Sequence, residues 1–359
     1  MKKLNVLGNS SSPHLRTWLR VLPARFNVVV YDIHTNRPSI IDSSLTPIIV
    51  PLARVFRFTG KLVQYTALGL WLRWFCRRDG LLHAHNASGY GLSALLSGRD
   101  YIVTVYGSEI YNAHQRGLIY NWILKEIISS SKLVTTSSDH MRSTIVKKYG
   151  LRPERIFSKM LLDPIFLEAN EEDRRGQVRT WFVNRRMAEL YCTISVVEAF
   201  KTFIGSGGVG ALVLLEGDAD THYAARVRAA TVGCSSIEII TGFVDQDKLI
   251  EHLSRSHFCI SVPESDQFSS SILEGAACGV IPILRNLESY KAVSDISIVL
   301  RADDGLKGAL VSMFRETASL SDSSIKLMSR KARNFAMKNF SYREFINSFA
   351  DAINEVKQS

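Results

Sequence analysis

Residues 262–282 read VPESDQFSSSILEGAACGVIP and carry the strongest signal in the chain. Asp266 stands eight positions before Glu274, and the hydroxyl-rich run Ser269–Ser271 lies between them. Small residues follow Glu274 and lead into the apolar run Val280–Pro282. The pattern predicts a polar loop, a tight helix start and then a buried strand. A helix N-terminus exposes unpaired backbone N–H groups and a partial positive charge, so it favours an anion such as a diphosphate.

Short apolar runs alternate with helical patterns along the chain. Strand–helix alternation predicts parallel sheets with helices on both faces, and two successive sets predict two Rossmann-like domains. In such sheets ligands bind at the C-terminal strand ends, near the switch in strand order. The predicted strands are Leu4–Leu7, Val28–Tyr31, Leu81–Ala84, Tyr101–Val105, Leu133–Thr136, Arg155–Phe157, Trp181–Val183, Ala211–Leu215, Glu238–Ile240, Phe258–Val262 and Ile281–Leu284. Helices are predicted at about 14–24, 190–203 and 246–254.

Length and composition describe a globular, core-forming protein. The chain has 359 residues, of which 46% are hydrophobic and 22% charged, and this length favours about two domains. The five cysteines are scattered, odd in number and without CxxC spacing. A disulfide framework or a zinc site is therefore not expected, and a reducing cytoplasm is the simpler interpretation. The N-terminal residues indicate a first strand rather than a signal peptide.

The net charge of +10 is unevenly distributed. Residues 1–165 hold 22 Lys and Arg against 9 Asp and Glu, a balance of +13, whereas residues 166–359 hold 22 against 25, a balance of −3. Such asymmetry indicates that the first half faces an anionic partner, which could be nucleic acid, acidic lipid or a phosphorylated substrate. Because no RNP, helix-turn-helix or zinc-finger pattern is present, nucleic acid is not the expected partner.

Residues 53–78 mix Arg and Lys with Phe, Tyr, Trp and Leu. No uncharged apolar run reaches the ~20 residues that a spanning helix needs. One interpretation is an amphipathic helix lying at a membrane surface, where each basic residue contributes about 1 kcal/mol near an anionic leaflet. The other is a core-packed helix with a basic face toward solvent.

The segment around Asp266 and Glu274 resembles the Glu-x7-Glu signature of GT-B glycosyltransferases, especially glycosyltransferase family 4, with Asp266 in the first acidic place. At least seven segments agree with that family in order, spacing and residue type. Five of them lie between residues 9 and 166: the loop NSSSPHLRTWL after Gly8, LLHAHNASGYG at 81–91, YIVTVYGSEI at 101–110, KLVTTSSDHMRSTIVKKYG at 132–150 and MLLDPIF at 160–166. Tyr106 departs from the family's usual His, and Leu161 departs from its usual Gly.

In the second half, Arg185 in WFVNRRMAEL matches the family's diphosphate-binding arginine. A guanidinium can donate hydrogen bonds to two phosphate oxygens at once, and it stays charged when it is desolvated. Many family members add a lysine about five residues later, where this chain has Glu189 and Leu190, so a second cation is either missing or supplied by Arg186. His83 and His85 emerge at a strand end on one face, but no third ligand lies near in sequence, and a metal site is not expected.

The resemblance implies roles for particular residues. Arg185 would neutralise the diphosphate leaving group, Glu274 would hold the ribose and Asp266 the transferred sugar. Phe243 could stack on the base, or it could be an ordinary core phenylalanine. The full donor-binding set would be Gly8, Arg185, Arg186, Gly217, Gly242, Phe243, Ser269, Ser270, Ser271 and Glu274. The acceptor-binding set would be His14, Arg16, His85, Tyr106, Glu109 and Arg116.

The resemblance also implies an architecture: an α/β fold of two Rossmann-like domains that face each other across a donor-binding cleft. The acceptor domain would span 1–165 and the nucleotide-sugar domain 166–340, with a linker at 168–177. The helix at 341–359 would pack back toward the first domain.

The implied activity is that of a retaining hexosyl- or N-acetylhexosaminyl-transferase that needs neither metal nor cofactor. UDP-sugar or GDP-sugar is the expected donor, and a glycan, in particular a lipid-linked one in cell-surface polysaccharide biosynthesis, is the expected acceptor. The expected location is the cytoplasm, peripherally on the anionic membrane. Three alternatives stay open: a catalytically silent GT-B scaffold that binds nucleotide or glycan, a nucleotide-sugar epimerase, and a nucleic-acid binder.

Overall fold

The computed structural model describes residues 1–34, 48–49, 59–75, 79–169, 178–242, 244–266, 268–301 and 305–358. The chain divides into two compact units. The first contains Met1–Asp163 and Phe340–Ser359, and the second contains Pro164–Asn339. Within the described ranges, no helix combines the length and the hydropathy that a membrane-spanning segment requires.

The first unit is built on a parallel sheet that has seven strands among the described residues. The strands are β1 Lys2–Leu7, β2 Phe26–Asp32, β3 Ile48–Ile49, β4 Leu81–His85, β5 Tyr101–Thr104, β6 Leu133–Thr136 and β7 Ile156–Ser158, and their order in the sheet is β3-β2-β1-β4-β5-β6-β7. The accompanying helices are α1 Pro13–Val21, α2 Lys61–Trp74, α3 Gly89–Leu96, α4 Ser108–Tyr111, α5 Gly117–Ser130 and α6 Asp139–Tyr149.

The second unit has a parallel sheet with six strands among the described residues. They are β8 Thr180–Val183, β9 Ala211–Leu215, β10 Ile237–Ile240, β11 Phe258–Ser261, β12 Ile281–Leu284 and β13 Ile298–Val299, and the order is β10-β9-β8-β11-β12-β13. Its helices are α7 Pro164–Leu167, α8 Thr193–Gly205, α9 Thr221–Thr231, α10 Gln246–Arg255, α11 Ser270–Ala277, α12 Gly305–Ala318 and α13 Asp322–Asn339.

Successive side chains along the strands of the first sheet point to opposite faces and so belong to two separate hydrophobic layers. Leu7 joins the layer packed against α2, α3 and α5, whereas its neighbour Val6 joins the layer on the opposite face. Successive strand side chains point to opposite faces of a sheet. A sheet covered on both faces needs near-continuous apolar strands, which is what these sequences provide.

The opposite layer is completed by the last helix, α14, Tyr342–Gln358. Phe345 and Phe349 of α14 lie against Trp18 of α1, with ring centroids 5.1 and 5.0 Å apart. The predicted return of the C-terminal helix to the first domain is therefore confirmed.

The predicted strands all form, with ends that differ by at most two residues. The predicted fold class, α/β with two Rossmann-like sheets, is confirmed. The first predicted helix ends earlier than expected, at Val21, and continues as a 3-10 turn over Leu22–Ala24 because Pro23 cannot donate a backbone hydrogen bond. Most of the predicted linker, 170–177, lies outside the described residues.

Residues 53–78 are described only from 59 to 75, where α2 forms. Gly69 sits in the contact of α2 with α3, and a Cβ there would come within 2.9 Å of the Ser93 carbonyl oxygen. Trp74 and Phe75, at the end of the helix, are about three-quarters exposed. The helix therefore uses one narrow face for packing and leaves large apolar side chains in solvent.

Candidate active site

The candidate site of the second unit lies where the strand order of its sheet reverses. β8 is flanked by β9 on one side and by β11 on the other. Arg185 follows the end of β8 by two residues, and Asp266 lies in the loop after β11. Parallel α/β sheets bind ligands at this point because the two flanking loops leave the sheet in opposite directions.

Arg185 is the centre of the hydrogen-bond network at this edge. Its Nη2 donates to Oδ2 of Asp266 over 2.8 Å, and its Nη1 donates to Oγ of Ser271 over 3.0 Å and also to the Ser269 hydroxyl. The guanidinium carbon lies 4.2 Å from the ring centroid of Tyr191, a cation–π contact. The side chains of Arg185 and Asp266 are only 11% and 15% exposed.

The charge on Arg185 is secure at any physiological pH. Burial is the largest single influence and would lower the pKa of Arg185, but Asp266, Tyr191 and Tyr290 together outweigh it, and the pKa of Arg185 lies above its ordinary value. A buried cation at a helix N-terminus, next to hydroxyl donors, is suited to binding an anion with two or more oxygens.

Helix α11 begins beside this arginine. Ser269 is its N-cap residue, and the amides of Ser270 and Ser271 fall in the first turn, where a helix provides no intrahelical acceptor. Nδ2 of Asn184 donates to the Ser271 carbonyl over 2.8 Å and fixes this turn on the end of β8. The turn therefore presents hydroxyls and N–H groups to the same ligand position as Arg185.

Glu274 lies one turn further along α11 and is half-buried. Residues three apart share a helix face, so Glu274 and Ser271 are neighbours on one face of α11. At Gly275 a Cβ would lie 2.8 Å from Sγ of Cys259 on β11. The small residues after Glu274 thus let the helix lie close on the sheet. The family resemblance implied that Arg185, Asp266, Ser269–Ser271 and Glu274 share one site, and the structure brings the side chains of Arg185, Asp266, Ser269 and Ser271 into hydrogen-bond contact.

Tyr290 is a member of the network that sequence reasoning missed. It is 3% exposed and belongs to the 3-10 helix Glu288–Ile296, which follows β12. Its hydroxyl donates to Oδ2 of Asp266 over 2.7 Å and lies 3.3 Å from Oγ of Ser261. Burial, with the adjacent Asp266 charge, raises the pKa of Tyr290, so the hydroxyl stays protonated and acts as a donor. Asn184 and Tyr191 were missed as well.

Two of the three predicted donor-site glycines lie in the loops after β9 and β10, and the third, Gly8, follows β1 in the first unit. Gly217 and Gly242 have φ values of +62° and +72°, which favour glycine. The Gly217 N–H donates to the Gly242 carbonyl over 3.1 Å, and Nη1 of Arg186 donates to the Asp218 carbonyl over 3.2 Å. These loops therefore support one another at the same sheet edge. Phe243, predicted to stack on a base, lies outside the described residues.

Arg186 does not take part in the Arg185 network, because its recorded hydrogen bond goes to backbone and its side chain is exposed. Glu189, which stands where the family has a second cation, forms an exposed ion pair with Arg226 at 2.8 Å. Among the described residues, the network at the start of α11 thus contains one cation.

Three predicted acceptor residues come together in the first unit. His85 ends β4, and its Nδ1 lies 2.7 Å from the Tyr106 hydroxyl. The His14 ring stacks on the Tyr106 ring with centroids 5.0 Å apart. Gly8, at the end of the adjacent β1, leaves no room for a side chain, since a Cβ there would meet Leu15 at 2.6 Å and His85 at 3.3 Å. This cluster occupies the strand-order reversal of the first sheet, between β1 and β4.

The remaining acceptor candidates, Glu109, Arg16 and Arg116, make other contacts in the first unit. Glu109 is 2% exposed, and its carboxylate accepts the N–H of Tyr106 at 3.0 Å and that of Ala87 at 3.4 Å. Its hydrogen bonds thus stabilise the loop after β5. Nε of Arg16 donates to the Ser10 carbonyl at 3.5 Å. Arg116 is exposed and lies over the Tyr120 ring, 5.1 Å from its centroid.

The two histidines of β4 are neutral. Burial lowers the pKa of His83 to about 3, and burial together with the adjacent His83 lowers the pKa of His85 well below its usual range. Nε2 of His83 lies 2.8 Å from the Thr104 hydroxyl. Over the described part of the chain, no group of three or more His, Cys, Asp and Glu side chains could hold a metal ion.

Comparison with solved structures establishes the fold. A glycosyltransferase from Rickettsia africae matches with a TM-score of 0.74 and 14% identity over 100% of this chain and 99% of that one. A UDP-forming trehalose-phosphate synthase from Burkholderia xenovorans matches with a TM-score of 0.77 and 11% identity over both full lengths. Anabaena HepE, solved with UDP-glucose, matches with a TM-score of 0.75 and 11% identity over 99% of this chain and 100% of that one. The fold is that of the GT-B glycosyltransferases.

No protein-family model and no curated protein sequence matches the chain. The likeness to these structures is therefore one of fold, at identities of 11–14%.

Proposed function

We propose that the protein is a retaining, family-4-like glycosyltransferase that moves a hexosyl or N-acetylhexosaminyl group from a nucleoside diphosphate sugar to a glycan acceptor. The observation that carries this proposal is the buried, permanently charged Arg185 at the start of α11, hydrogen-bonded to Asp266. The GT-B fold supports it, since HepE with that fold was solved with UDP-glucose. UDP-sugar and GDP-sugar are the proposed donors.

The proposed chemistry is electrostatic. Negative charge grows on the diphosphate as the bond to the sugar breaks, and Arg185 with the first-turn amides and hydroxyls of α11 would stabilise that charge. Glu274 would accept hydrogen bonds from the ribose, and Asp266 from the transferred sugar. The protein's own cation would then neutralise the leaving group, so neither metal nor cofactor is part of the proposal.

A thermal-shift panel of UDP-, GDP-, CMP- and dTDP-sugars tests donor binding. A ligand present at a hundredfold excess over its Kd adds about 2.7 kcal/mol to the free energy of unfolding, so the cognate donor should raise the melting temperature selectively. The Arg185→Ala variant should show no shift with the same donor. Equal melting curves with all four classes of donor would contradict the proposal.

The second candidate function is a catalytically silent scaffold that binds nucleotide or glycan. Glu189 favours it, because this residue stands where a second cation would be and pairs instead with Arg226. Release of nucleoside diphosphate in the presence of acceptor separates the two, since a scaffold binds donor and releases none.

We further propose a lipid-linked acceptor of cell-surface polysaccharide synthesis and peripheral association with the cytoplasmic face of an anionic membrane. Helices α2 and α5 both flank α3 and leave large apolar side chains in solvent: Trp74 is 73%, Leu118 89%, Ile119 77% and Trp122 63% exposed. Exposed basic residues lie among them at Lys61, Arg73, Arg116 and Lys125. Apolar anchors with interspersed cations suit an anionic lipid surface.

Vesicle cosedimentation should show binding to phosphatidylglycerol-containing liposomes that salt weakens, because the basic residues are screened. Ile119→Glu should lower the bound fraction about tenfold, since it places a charge where an apolar side chain would enter the interface. The matched control is Leu327→Glu, at a 71% exposed position in the second unit, which should bind as the wild type does. Equal binding of both variants would contradict the membrane proposal.

A further inference from the structure

The Asp266 carboxylate uses a single oxygen for both of its recorded hydrogen bonds. Oδ2 accepts from Nη2 of Arg185 at 2.8 Å and from the Tyr290 hydroxyl at 2.7 Å. Within the described part of the chain, Oδ1 has no recorded hydrogen bond. Arg185 and Tyr290 therefore hold the same oxygen of this carboxylate.

The pairing of Asp266 with Arg185 affects how a donor can bind. The Asp266 carboxylate takes the position on Arg185 that a phosphate oxygen would take, so a diphosphate must compete with it for Nη2. A carboxylate that is 15% exposed and loses the cation paired with it is strongly disfavoured unless another donor holds it.

Tyr290 is placed to be that donor. Its ring is buried, it belongs to the 3-10 helix after β12, and its hydroxyl reaches Ser261 at the end of β11. The burial of the Tyr290 ring, its place in the 3-10 helix and its contact with Ser261 do not involve Arg185. When the guanidinium turns toward a ligand, the Tyr290 hydrogen bond can therefore persist.

Resting on the proposed donor site, we infer that Tyr290 is the positioning residue that keeps the Asp266 carboxylate in place while Arg185 transfers its Nη2 hydrogen bond to the donor diphosphate. Tyr290 thereby makes the exchange of partners on Arg185 favourable, and it keeps Oδ1 of Asp266 oriented for a hydroxyl of the transferred sugar.

A double-mutant cycle tests this inference. Calorimetric titration of UDP, GDP and dTDP into the wild type identifies the tightest of the three, which is then titrated into Tyr290→Phe, Asp266→Asn and the double variant. Tyr290→Phe should weaken binding about tenfold, because the displaced carboxylate loses a charge-assisted hydrogen bond. Asp266→Asn should tighten binding, because the competing charge is gone. In the Asp266→Asn background, Tyr290→Phe should have almost no effect, since no carboxylate remains to be held.

Tyr223→Phe is the matched control. Tyr223 is another buried tyrosine of the same unit, and the substitution removes its hydroxyl. This hydroxyl accepts a hydrogen bond from the Ile194 N–H over 3.1 Å. The substitution should leave the dissociation constant unchanged in both backgrounds. Tyr290→His, which keeps a donor on the ring, should recover part of the lost affinity and provides a second variant if Tyr290→Phe does not fold. A purely structural role of Tyr290 would weaken binding equally in both backgrounds.

The outcomes distinguish a failure of the proposed function from a failure of the role assigned to Tyr290. If none of the three nucleoside diphosphates binds the wild type, the proposed function fails and the inference fails with it. If one binds but Tyr290→Phe changes its affinity equally in the wild-type and Asp266→Asn backgrounds, or not at all, the inference alone is overturned.

Discussion

Replacing Arg185 with lysine is expected to lower the rate of sugar transfer by about 100- to 1,000-fold, the range found when a preorganised charge-stabilising donor is removed from an active site. Lysine carries the same charge but lacks the planar fork, so one ammonium cannot reach Asp266, Ser269 and Ser271 together as the guanidinium does. The measurement is steady-state release of nucleoside diphosphate at saturating acceptor.

The control for this variant is Arg255→Lys. Arg255 lies on the exposed face of α10 and pairs with Glu251 one turn earlier, at 2.9 Å, so this change should leave the rate within about twofold of the wild type. If Arg185→Lys released nucleoside diphosphate at the wild-type rate, a single positive charge would suffice for catalysis and the planar geometry of the guanidinium would have no catalytic role.

Phe349→Ala is expected to lower the free energy of unfolding of the first unit by about 3–5 kcal/mol, the usual cost of truncating a fully buried phenylalanine. The Phe349 side chain is 0% exposed. Its ring lies 5.0 Å from Trp18, 5.6 Å from Phe157 and 5.5 Å from His83, measured between centroids. Urea denaturation followed by tryptophan fluorescence measures the effect.

Asp351→Ala, on the exposed side of the same helix, is the matched control and should change the free energy of unfolding by less than about 0.5 kcal/mol. A loss below about 1 kcal/mol with Phe349→Ala would mean that α14 contributes little to the core of the first unit.

The residues that meet around Arg185 could be placed together from sequence because their positions follow from order along the chain. Ser269–Ser271 and Glu274 share one helix, and Arg185 and Asp266 follow adjacent parallel strands, whose C-terminal ends meet at one edge. Tyr290 was missed because it lies 24 residues beyond Asp266, in a 3-10 helix that has no spacing signature. One signal was present: a polar aromatic residue after β12, whose C-terminal end lies at that same edge.

The first unit was harder to predict in detail. From sequence alone, Glu109 looks like an exposed acidic residue after a strand. In the structure its carboxylate accepts hydrogen bonds from the backbone N–H groups of Tyr106 and Ala87. Such a role depends on how the loop folds back, which residue type and spacing do not encode. Tyr106, which replaces the family's usual His, lies within hydrogen-bond distance of His85, a contact visible only once β4 and β5 are paired.

The position of α14 also bears on how the protein is made. The first unit needs Phe345 and Phe349, yet the ribosome must synthesise all of residues 164–339 before it reaches them. At about 5–20 residues per second, that interval lasts ~10–35 s. During this time the apolar surface around Trp18 lacks its cover, and transiently exposed apolar surface of this kind is prone to aggregation and to binding by chaperones. Translation speed across the second unit should therefore influence the yield of native protein.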